Sequence, residues 1–70
     1  MMLQRVQALS PETIRAARRA VGMSQRELAG RLGYTASWLS NIEHGKRGLS
    51  WREAPHLVEV LLAEYAARKE

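Results

Sequence analysis

The sequence predicts an all-α domain, a compact bundle of four to five helices. Three observations carry that expectation: helix start and stop signals are dense, strand signals are nearly absent, and the chain is only 70 residues long. No Asn-Gly or Asp-Gly turn joins alternating runs, and β-branched residues are sparse. A chain of this size buries only about 60% of its unfolded surface, so its core is small. With 46% hydrophobic and 26% charged residues, the composition is that of a folded globule rather than a disordered tail.

Ser10-Pro11-Glu12 places an N-cap, a first-turn proline and an acid in the order a helix start wants. Ile14, Ala17, Arg18 and Val21 follow at helical spacing and Gly22 offers a stop, which sets a first helix at about Pro11 to Val21. Ser24-Gln25-Arg26-Glu27 has the form of a capping box, in which hydroxyl and carboxylate reciprocally satisfy free backbone donors. Leu28, Ala29 and Leu32 form the stripe behind it, and Gly33 ends a second helix at about Gln25 to Leu32. Thr35 is a good N-cap for a third helix, about 35–43, that buries Leu39 and Ile42 and stops near Gly45. Two short helices across a three-residue turn containing Gly are a helix-turn-helix arrangement, here about 24–45.

His44 to Leu49 reads as a loop, and Ser50-Trp51-Arg52-Glu53 as a second capping box opening a long helix, about 51–69. Its expected core stripe is Trp51, Ala54, Val58, Leu61, Leu62 and Tyr65. Pro55 sits about one turn in; either a first turn ends at Ala54 and a new helix begins at Pro55, or the helix kinks there. Leu57 and Val60, with Leu61, make a second apolar arc, read as a possible dimer surface or as a core face covered by Met1 to Leu9. Residues 1–9, with Leu3, Val6 and Leu9 at helical spacing, read as an arm or short extra helix before a domain of residues 10–70.

Charge is distributed unevenly. Eleven Lys or Arg face seven acids, net +4, and every acid is Glu. Arg15 to Arg52 holds eight bases and two acids, net +6, whereas Glu53 onward is net −2. A basic middle with an acidic end suggests a polyanion met by one face. Without Cys there is no disulfide scaffold, thiolate zinc site or cysteine nucleophile. His44 and His56, with no carboxylate near them, are poor metal ligands. No apolar stretch approaches the roughly 18 residues of a membrane span, and no signal-peptide core follows the start. No nucleophile, base and orienting acid are fixed together and no phosphate-cradling glycine loop occurs, so neither an enzyme nor a cofactor is expected.

From Ser24 to Gly45 the residues run SQRELAGRLGYTASWLSNIEHG. With Ser24-Gln25, Leu28-Ala29, Leu32-Gly33, Thr35, Leu39-Ser40, Ile42-Glu43 and Gly45-Lys46 at fixed spacing, the segment closely resembles the phage repressor and Cro-type helix-turn-helix family, the XRE family. The resemblance spans roughly Ile14 to Leu62. It implies a lambda-repressor-like fold and a DNA-binding transcriptional regulator, and it assigns Gln25 a phosphate contact and a bracing role beneath the recognition helix. Members often carry a fifth helix after the fourth, for which this chain has no separate room.

The residues support the same reading. At about 100° per residue, Leu39 and Ile42 share one side of helix three. Ser37, Asn41 and His44 then lie opposite, with Ser40 at the edge. This short polar face suits a major groove. Asn41 is the first candidate for a base contact because its amide pairs bidentately with adenine; as a surface amide it would be idle. Ser37 and Ser40 can bond either way, and Ala36 can touch a thymine methyl. Lys46 and Arg47 are placed to grip phosphates, with Gln25, Thr35, His44 and, more weakly, Arg19 as further backbone candidates. Trp38 lies between the core side and the groove side, to pack against the loop and Trp51 or to rest on the DNA backbone. Arg18 and Glu43 sit on inward arcs where an unpaired charge is costly, so they are expected to pair as a structural link, as the matching positions do in the family.

One helix in a groove reads few base pairs, so the expected regulator is a homodimer on an inverted repeat. Repression by occlusion is favoured over activation. An antitoxin that binds a toxin while regulating its own synthesis fits the same size. An adaptor that has lost DNA binding is the reading from another class, against which the outer face of helix three and the basic middle weigh. The expected location is cytoplasmic, on DNA.

Overall fold

A computed structural model describes residues 9–69 of the chain; the expected N-terminal arm lies almost wholly outside them. Four helices follow in order: α1 (Pro11–Ala20), α2 (Gln25–Leu32), α3 (Ala36–Glu43) and α4 (Glu53–Lys69). Among the described residues there is no strand. The chain folds as an all-α domain, as its caps predict.

The caps form as written in the sequence. The Ser10 hydroxyl accepts from the Thr13 amide at the start of α1, with Pro11 in the first turn. At α2 both halves of the capping box close: the Glu27 amide donates to Ser24 Oγ at 3.0 Å, and the Ser24 amide donates to Glu27 Oε1 at 2.8 Å. Gly33 ends α2 in the left-handed region, φ 85°, letting the Tyr34 amide reach back to the Ala29 carbonyl at 2.8 Å. That bond closes the helix and leaves only Tyr34 and Thr35 before α3 begins.

Ile14, Val21 and Met23 from α1 and its turn pack with Leu28, Ala29 and Leu32 of α2 and with Leu39 and Ile42 of α3. Leu57 and Val60 of α4 close the cluster. A fully buried side chain of this size contributes about 1.5–3 kcal/mol, so these few residues carry most of the apolar stabilisation. α3 packs chiefly on α2 and also on α1, while α4 lies against α2. An Arg31 to Glu64 ion pair at 3.0 Å fastens α2 to α4, and Arg68 joins Glu64 from one turn further on at 2.7 Å.

Two expectations for the last helix are corrected. Leu57 is fully buried and Val60 is 9% exposed, so the arc read as a possible dimer surface is the core face, with Leu61 packed partly against it. The stripe expected in the core lies outward instead: Trp51 is 79% exposed, Leu62 62% and Tyr65 54%. Both arcs have helical spacing, so periodicity cannot choose between them; the Arg31–Glu64 link and the fit of Leu57 against the other helices do. Pro55 neither splits nor restarts the helix. It is the third residue of α4, which runs on without a break to Lys69, and the turn ahead of it is closed by the Ala54 amide donating to the Ser50 carbonyl at 3.0 Å. The Ser50 capping box forms, with Glu53 Oε1 accepting from the Ser50 amide at 2.9 Å and Ser50 Oγ accepting from the Glu53 amide at 3.1 Å.

Candidate nucleic-acid interface

Beneath α3 lies a buried carboxylate. Glu43 is 1% exposed and Arg18 8%, and the two meet through a two-pronged contact: Arg18 Nε donates to Oε2 at 2.7 Å and Nη2 to Oε1 at 2.9 Å. The third Arg18 donor reaches the Met23 carbonyl at 3.0 Å. Gln25 Nε2, at the start of α2, donates to Glu43 Oε1 at 3.0 Å. Arg15 adds a guanidinium donor to the Glu43 backbone carbonyl and stands 3.8 Å from Oε1. Burial alone pushes the Glu43 carboxyl up, but the hydrogen bonds of Arg18 and Gln25 and the charges of Arg18 and Arg15 outweigh it and hold the group below its ordinary value. The hydrogen bond to Glu43 raises the Arg18 guanidinium in turn. Two helices, α1 through Arg15 and Arg18 and α2 through Gln25, therefore converge on the last residue of α3 and fix its position.

The opposite side of α3 is open. Ser37 and Asn41 are exposed and Ala36 and Ser40 half-buried, so the four candidate base readers share the outer surface or its edge. Thr35 caps the helix, its Oγ1 accepting from the Trp38 amide at 3.2 Å, which leaves its hydroxyl hydrogen available to an acceptor outside. His44 Nδ1 lies 2.8 Å from the Ser40 carbonyl and so carries the proton. In the neutral ring Nε2 is then an acceptor, the wrong polarity for a phosphate; only the charged ring donates there. One hydrogen of the Gln25 amide is used on Glu43, and the second remains for a phosphate.

Past α3, Gly45 at φ 76° lets the Lys46 amide return to the Asn41 carbonyl at 2.8 Å, which fixes where Lys46 leaves the helix. Lys46 and Arg47 are both exposed, as is Arg19 on α1. Arg47 is partly committed: its guanidinium stands 5.9 Å from the centre of the Trp38 ring and 3.5 Å from Glu53. Trp38 stacks on Tyr34 with ring centres 4.1 Å apart and planes within 10°, so its ring partner is Tyr34 and not Trp51, whose ring carries Arg52. The Trp38 Nε1–H is buried and meets no acceptor among the described residues, so it is turned away from any phosphate outside. Tyr34 and Arg15 were missed by sequence reasoning. Tyr34 had a legible signal, an aromatic four residues before Trp38, whereas the reach of Arg15 depends on how α1 crosses α3.

A family model described as a helix-turn-helix domain matches residues 12–70. The chain belongs to the helix-turn-helix domain family. That membership is consistent with the phage repressor and Cro-type resemblance, and it points to a DNA-binding regulator of a kind that is typically non-enzymatic. No curated protein and no solved structure matches the chain. Among the described residues of this helix-turn-helix domain, no helix is long and apolar enough to cross a membrane.

Proposed function

We propose that this helix-turn-helix protein is a sequence-specific repressor that binds an inverted-repeat operator as a homodimer, with α3 in the major groove. The observation that carries the reading is the contrast between the two sides of α3. Its inner end is locked by Arg18, Arg15 and Gln25 through Glu43, and its outer side presents Ser37 and Asn41 with no acidic side chain beside them. A rigid helix with a short polar face is what reading base edges requires, since a bidentate amide contact tolerates little misplacement.

In this reading Asn41 pairs with a base edge, with Ser37, Ser40 and Ala36 around it. Lys46, Thr35, the free Gln25 hydrogen and the partly committed Arg47 hold the flanking phosphates, with Arg19 and the charged form of His44 as outer contacts. Trp38 serves by packing, supporting the turn before α3. The protein acts on DNA in the cytoplasm, needs no metal or cofactor for this task, and represses by covering promoter DNA. Selection of sites from a random duplex pool, followed by affinity titration against salt, tests the proposal. An enriched inverted repeat with affinity falling steeply as salt rises supports it. Weak binding without enrichment overturns it.

A further inference from the structure

The loop after α3 carries two exposed cations whose backbone is tied to the recognition helix: the Lys46 and Arg47 amides both return to the Asn41 carbonyl, at 2.8 and 3.4 Å. Their side chains differ. That of Lys46 meets no partner among the described residues, whereas the Arg47 guanidinium stands 3.5 Å from Glu53 Oε1 and 5.9 Å from the centre of the Trp38 ring, which the Tyr34 stack holds in place. Glu53 is itself fixed. Its Oε1 accepts from the Ser50 amide at 2.9 Å, and the Ser50 hydroxyl accepts from the Glu53 amide at 3.1 Å. The Ser50 amide, the Arg47 charge and the Tyr34 hydroxyl hold the Glu53 carboxyl below its ordinary value, so it is charged at neutral pH.

We propose that Glu53 withholds Arg47 from the DNA backbone, as an internal stand-in for a phosphate that the guanidinium leaves when DNA arrives. The inference rests on the reading of α3 as a DNA-binding helix, and adds to it a carboxylate that sets how tightly the backbone is gripped. Three features favour an exchange over a permanent pair. At 3.5 Å the contact is long beside a charge-assisted bond of about 2.7–2.9 Å, so a phosphate oxygen offers Arg47 a better partner. Glu53 keeps the Ser50 amide after Arg47 leaves, so the exchange strands no carboxylate. The Arg47 side chain is exposed and flexible while its backbone stays on Asn41, so the charge swings without disturbing the base reader. Binding then forfeits the Glu53 contact whenever Arg47 takes a phosphate. Every duplex meets that penalty alike, because phosphate contacts carry no sequence.

Glu53→Gln tests this without loss of the cap, because a Gln oxygen accepts the Ser50 amide as the carboxylate does. Its affinity, with that of Arg47→Ala and of the double variant, is titrated against salt on the selected duplex and on a scrambled one of equal length. Thermal unfolding verifies each fold. Glu53→Gln should bind both duplexes about 2- to 5-fold more tightly than the unaltered chain, the range for an exposed ion pair. Arg47→Ala should bind both more weakly, with a salt slope lower by about 1. Adding Glu53→Gln to Arg47→Ala should bring no gain, since no guanidinium is left to release. An equal gain with and without Arg47 overturns the proposal and makes Glu53 a general repellent of phosphate. Weaker binding by Glu53→Gln overturns it by showing that the carboxylate aims Arg47 at the backbone. An Arg47-dependent gain on duplexes that show no selected site sinks the repressor and leaves the exchange. A selected site without that gain sinks the exchange and leaves the repressor. Binding to no duplex sinks both.

Discussion

Glu43 holds the site together. A carboxylate at the end of α3 is taken out of water and returned three hydrogen bonds, two from Arg18 and one from Gln25, with the Arg15 guanidinium 3.8 Å away. Removing one partner leaves a buried charge exposed to the full cost of desolvation. Arg18→Ala should therefore lower unfolding stability by about 3–5 kcal/mol, measured by urea denaturation; an unchanged midpoint would contradict the brace. The same group sets a pH dependence. Its folded carboxyl is held below the unfolded value of about 4.3, so on acidification the unfolded chain takes up the proton first. The contribution of Glu43 is complete well above that value and is lost as pH falls through it toward the folded one. Glu43→Gln should lower stability at neutral pH and flatten the acid limb of the stability curve; a limb of unaltered slope would assign it to other carboxylates. Arg18 and Glu43 were legible in the sequence because two opposite charges stood on inward arcs of separate helices. Arg15 was not, because its partner is chosen by a helix crossing that local spacing does not encode.

Among the elements, α1 to α3 could be read almost to the residue, and α4 could not. The first three are bounded by caps whose partners lie within three residues, such as Ser24 with Glu27 and Thr35 with Trp38, so local chemistry is enough. α4 is apolar on two adjacent arcs, and which one turns inward is settled only by α2 and the rest of the core. Two substitutions separate the arcs. Leu57→Ala, at a site with no exposure, should cost about 2–5 kcal/mol in thermal or urea unfolding, the range for emptying a core position. Leu62→Ala, on the open face, should stay within about 0.5 kcal/mol for the monomer. Equal losses would contradict the assignment of Leu57 to the inner arc and Leu62 to the outer one. Gly33→Ala should cost about 1 kcal/mol, since φ 85° suits glycine and no neighbouring atom stands in the way of a Cβ; no loss would show that the turn readjusts.

For the whole molecule, the net +6 between Arg15 and Arg52 surrounds α3 on the α1, α2 and loop sides, while the acidic excess lies in α4. In the proposed reading, this separation favours approach of a polyanion on the α3 side. Phosphate grips and base readers should then respond differently to mutation. Lys46→Ala should weaken binding to every duplex alike and reduce the slope of log affinity against log salt by about 1. Asn41→Ala is the most direct test of the central claim that the outer side of α3 reads sequence. Its affinity should be titrated, beside that of the unaltered chain, on the selected duplex and on a scrambled one of equal length. The account predicts a loss of about 1–3 kcal/mol on the selected duplex, no loss on the scrambled one, and an unchanged salt slope. An equal loss on both duplexes, or none on either, would contradict it.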